Sequence, residues 1–121
     1  MDLFDDINEK FQELEDGKYI VRIESFRREK TGHNMKPIRW ELKLMNESPL
    51  ILPSKFSHIE TDGGFQILMR ELKNLGYSKP CSAREFEEIL TSLKGSIVEV
   101  SVTTTNKDEG YREVRFLRKL Y

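Results

Sequence analysis

One cysteine, Cys81, and two histidines are all that this chain of 121 residues offers in thiols and imidazoles. A lone thiol forms no internal disulfide, so burial and hydrogen bonding must hold the fold, and the usage fits a reducing compartment. Zinc-type ligation asks for several Cys or His at close spacing, and His33, His58 and Cys81 are scattered. No glycine-rich stretch runs on into Gly-Lys-Ser/Thr, and no nucleophile elbow is present. The carboxylates fall on helices and exposed faces, where solvation explains them. The expectation is therefore a protein that is not an enzyme and uses no metal or cofactor. Long apolar runs are missing too, and with no leader-like segment this points to a soluble, cytoplasmic protein with no membrane contact.

Charge is plentiful and unevenly placed. Residues 1–16 carry seven acids and one base, whereas the remainder carries 19 bases and 14 acids. A net charge of -1 thus conceals an acidic opening segment attached to a basic body, residues 17–121. In the opening segment Leu3, Phe4, Ile7, Phe11 and Leu14 recur at helical spacing. It reads either as a helix docked by that stripe or as an acidic arm that competes for the basic surface or recruits a partner.

The body opens with two alternating stretches. Tyr19, Val21 and Ile23 share one face of the first, and Ile38, Trp40, Leu42 and Leu44 share one face of the second. Between them a polar turn holds Gly32. From Arg22 to Lys43 there are seven Lys/Arg against three acids, so the wet side of this hairpin reads as basic. After the turn signal at Asn46 to Pro49, a third strand is expected across Ser54 to Ile59, at a sheet edge because Pro53 cannot donate to a ladder. Phe65, Leu68, Met69, Leu72 and Leu75 then predict a helix stopped by Gly76, with Asp62 as its cap. Ser82 and Glu85 form a capping box for a second helix, with Phe86, Ile89, Leu90 and Leu93 inside. Val98, Val100 and Val102, then Val114 and Phe116, mark two final strands joined by a turn at Asn106 to Gly110. Five strands with a helical insertion between the third and fourth match the layout of an oligonucleotide-binding (OB) barrel. The expected class is mainly β with helices, α+β, in one domain.

The acidic, Phe-containing opening, GKYIVRIES, IRWELKL, GGFQILMRELKNLG and the LKG that closes the second helix together resemble a family of small phage and prophage proteins. That family is a domain of unknown function, often described as putative single-stranded DNA-binding proteins. The resemblance spans nearly the whole chain and implies an OB barrel acting in phage DNA replication or recombination. It implies single-stranded DNA as partner, with RNA left open, alongside phage or host replication and recombination proteins.

An unpaired strand needs cations for its phosphates and flat side chains for its bases. The solvent faces of the first three strands and the turn between the first two offer Arg22, Arg27, Arg28, Lys30, Lys36, Arg39, Lys43 and Lys55 for phosphate. Phe26, Phe56 and His58 are the candidate stackers, and Tyr111 and Arg115 extend the track on the last strand. Phe26 has a second reading, closing the bottom of the barrel. Trp40 shares its face with Ile38 and Leu42 and belongs to the core. The alternative function is a protein-interaction module whose basic hairpin meets an acidic partner. Oligomeric state is open.

Overall fold

The computed structural model describes residues 14–32, 35–46, 51–106 and 111–121, with backbone alone for Asn106 and Tyr111. Residues 1–13, 33–34, 47–50 and 107–110 lie outside the described residues, as do the helical reading of the opening segment and parts of the three expected turns. Seven elements follow: β1 (Gly17–Arg28), β2 (Ile38–Leu44), β3 (Lys55–Ser57), α1 (Asp62–Asn74), α2 (Ala83–Ser92), β4 (Ile97–Asn106) and β5 (Tyr111–Lys119). The strands form one antiparallel sheet in the order β3-β2-β1-β4-β5. β1 is its spine, pairing β4 through its first half and β2 from Val21 onward.

The sheet turns one face to the helices. Val21, Ile23, Ile38, Trp40, Val98, Val100, Val102, Val114 and Phe116 line it, and Leu68, Met69, Leu72, Leu75, Leu90 and Leu93 pack on them. Removing this apolar surface from water is the main force holding the layers together. The Trp40 ring meets Phe116 edge-on at 5.0 Å, and its Nε1 donates to Ser57 Oγ at 2.9 Å, so the one polar atom of the indole is satisfied in the core.

Both helices begin and end where local chemistry dictates. Thr61, rather than Asp62, caps α1: its side chain accepts from Gly64 N, and Asp62 contributes its charge to the first turn. Gly76 ends α1 with φ +95°, Tyr77 N donating to Leu72 O and Gly76 N to Lys73 O, the paired bonds of a Schellman closure. Ser82 caps α2 by accepting from Glu85 N, while Glu85 Oε2 reaches back to Cys81 N.

β1 carries a bulge between Ile23 and Ser25. One extra residue reverses the alternation beyond it. Val21 and Ile23 face inward before the bulge, and Phe26 faces inward after it, its ring 5.7 Å from Trp40. Strict alternation had put Phe26 beside Arg22 on the wet face; the structure places it against the core instead.

β3 is short and lies at the edge, as Pro53 foretold. Its alternation sends Lys55 and Ser57 inward and Phe56 outward. The expectation that Lys55 lies on the wet face is therefore corrected: adjacent strand residues cannot share a face, and Lys55 is 3% exposed. Its ammonium donates to Glu71 Oε2 and to Val114 O, both at 2.7 Å. Glu71 Oε2 also accepts from Phe116 N at 2.8 Å, and Asn74 Nδ2 donates to Phe116 O at 3.2 Å. Burial pulls the Lys55 pKa below that of an ordinary lysine, and the Glu71 carboxylate opposes the fall. β3 and β5 are thus drawn together by side chains. Among the described residues no ladder joins them, so the sheet is not closed into a hydrogen-bonded barrel.

Candidate nucleic-acid interface

Phe56, Arg39 and Arg27 form one cross-strand row on the outward face. Arg27 is the register partner of Arg39, and Arg39 that of Phe56. The row follows from parity, since each of the three is flanked by an inward residue: Phe26, Trp40 and Lys55. The Arg39 guanidinium carbon stands 6.0 Å from the Phe56 ring centroid. His58, just past β3, lays its ring 6.4 Å from Phe56 at 29°, extending the flat surface. Gly64 lets α1 start hard against this point, because a side chain there would collide with the His58 carbonyl.

Beside the row, β3 and β5 flank a cleft of about 240 Å³. Phe56, His58, Arg112 and Arg115 line its walls, and Lys55 and Glu71 are also among its lining. Arg115 pairs with Glu113 at 2.8 Å. Arg112 meets the Asp16 carboxylate at 3.2 Å, and Thr104 donates to Asp16 through both its N–H and its hydroxyl. These bonds, the Thr104 hydroxyl first, hold the Asp16 carboxyl below the ordinary aspartate range.

The remaining expected residues fall in two other places. Arg22 and Lys43 are opposed across β1 and β2 on the outward face, beyond the bulge. Arg22 pairs with Glu24 at 2.8 Å and holds that carboxyl below its usual range. Arg28, Lys30 and Lys36 surround a recess near the tip of the hairpin with Met35 and Glu60; Arg28 Nε donates to Lys36 O, and Lys36 N to Glu60 Oε2. The Tyr111 side chain lies outside the described residues.

The basic face is laced with acids. Arg27 reaches Glu29 and Glu41, Arg39 reaches Glu29, and Arg118 reaches Glu99. Counting charges along the hairpin treated those acids as dilution and missed their pairing. The spacing Arg-x-Glu on a strand, which sets both residues on one face, was the signal that could have found it. Arg112, outside the expected set, also lines the cleft, although it shares parity with the inward Val114.

Among the described residues no group of three or more His, Cys, Asp or Glu is placed to hold a metal ion, and no helix is long and apolar enough to cross a membrane. No protein-family model matches the chain, and no curated protein matches it.

Proposed function

We propose that this protein binds single-stranded nucleic acid, without catalysis, along the Arg27–Arg39–Phe56–His58 row. The single observation that carries the reading is the row itself: two guanidinium groups and two stacked flat rings in contiguous positions on an outward face. Guanidinium groups match phosphate oxygens, and aromatic faces accept bases regardless of sequence. The order β3-β2-β1-β4-β5, the helices between β3 and β4, and the approach of β3 to β5 support an OB-type barrel left open on one side. The resemblance to small phage and prophage proteins supports DNA replication or recombination as the setting.

The test is fluorescence anisotropy with labelled poly-dT, poly-dA, duplex DNA and RNA at two salt concentrations. Poly-dT should bind more tightly than duplex and weaken steeply as salt rises, because binding releases counterions. Arg39→Ala and Phe56→Ala should each lose affinity. Absence of measurable binding at low salt defeats the proposal.

The lacing of both charge signs on the outward face favours a second reading, a docking surface for a protein partner of mixed charge. Under it, capture of that partner survives nuclease treatment and free DNA binds weakly.

A further inference from the structure

Arg27 and Arg39 face each other directly across β1 and β2. Like charges in directly opposed positions repel, so this pairing disfavours the hairpin unless an anion sits between them. Glu29 supplies that anion. Both its carboxylate oxygens lie 3.3 Å from Arg39 Nη1, and Oε1 lies 3.7 Å from Arg27 Nη2. Arg27 is held from its other side by Glu41 at 3.3 Å, whose second oxygen accepts from Ser25 Oγ at 2.9 Å. A carboxylate bridging two guanidinium groups, next to a ring that one of them overlies, uses the donors that suit a phosphate equally well.

We infer that Glu29 is a built-in stand-in for phosphate, and that a nucleic-acid strand binds the row by displacing it; this rests on the nucleic-acid reading above. The pair is exchangeable because it is wet. The Arg39 and Glu29 side chains are 37% and 32% exposed, and ion pairs so open to water contribute little. In the free protein Glu29 relieves the repulsion between the arginines and keeps both turned toward one point. It also filters ligands. A lone phosphate ion offers charge alone and gains little by replacing a tethered carboxylate. A strand offers phosphate together with bases for Phe56 and His58, and the stacking tips the exchange.

The experiment compares wild type with Glu29→Gln, Glu87→Gln and Arg39→Ala, using labelled poly-dT across a salt series and inorganic phosphate as competitor. Glu87→Gln makes the same change in net charge on α2, in a surface recess shared with Arg84, Glu88, Thr91 and Ser92 and none of the row. Glu29→Gln should bind poly-dT about three- to tenfold more tightly. Its plot of log affinity against log salt should steepen by up to about one for each arginine released. Inorganic phosphate should compete better against Glu29→Gln than against wild type. Equal tightening in Glu29→Gln and Glu87→Gln would reduce the effect to net charge and overturn the inference. Unchanged or weaker binding in Glu29→Gln, with Arg39→Ala still impaired, overturns it while leaving the row as the binding surface. If wild type fails to bind at low salt, the nucleic-acid reading itself falls and takes this inference with it.

Discussion

Lys55 on β3 pairs with Glu71 on α1, Arg39 on the neighbouring β2 pairs with Glu29 just past β1, and their surroundings give the two pairs opposite uses. Lys55 and Glu71 are 2% and 5% exposed at the side chain and sit 2.7 Å apart, and each also bonds the backbone of β5. Away from water such a pair is costly to form and costlier to break, since losing one partner strands the other charge. It serves as a fixed clasp between β3, α1 and β5. Arg39 and Glu29 are screened by water and contribute little to folding. Their bond can therefore be traded for another anion. Exposure, more than residue type, separates a structural cation from one available to a ligand.

The largest expected effect breaks the clasp. Lys55→Met should cost about 3–5 kcal/mol of folding stability in urea denaturation, because Glu71 is left charged and buried. The poly-dT affinity of the protein that remains folded should change little. A loss below about 1 kcal/mol would mean that the pair is no more than a surface bridge. Gly64→Ala sharpens the same division from the edge of the row: the collision with the His58 carbonyl should cost about 1–3 kcal/mol. Because that carbonyl belongs to a residue of the flat surface, DNA affinity should fall with it, read by melting temperature and anisotropy together. Phe56→Ala should do the converse, removing about 1–3 kcal/mol of binding per stacked base while the melting temperature stays close to wild type. Smallest is Asp16→Asn. The Asp16 pKa is held below 3.8, so its contribution to stability is present above that value and is lost as pH falls through the lower folded-state pKa. The variant should show a shallower loss of melting temperature with acidification than wild type.

Much of this fold was legible in residue order. The inward faces of β2 and β4, the apolar stripes of α1 and α2, the Ser82 cap and the stop at Gly76 all fell where periodicity and cap chemistry put them, though Glu85 bonds Cys81 N in place of Ser82 N. Those features are local: each depends on residues two to four apart. The candidate row was legible in part. Arg27, Arg39, Phe56 and His58 were expected on the wet side and are there, and Trp40 was expected in the core and is there. Phe26 was misplaced because a bulge shifts parity by one residue, and no composition rule announces where a strand takes in an extra residue. Alternation along β3 puts Lys55 and Phe56 on opposite faces, but which of them turns inward is decided by Glu71, 16 residues away on a helix.

Strand and helix positions thus came from the chain's own short-range pattern, since alternation and capping are satisfied among near neighbours. Which cations face water, which acids hold them, and how the two edges of the sheet are clasped came from packing. A charged side chain's role depends on its distance from water and from its counter-charge, and both are fixed by residues far away in sequence.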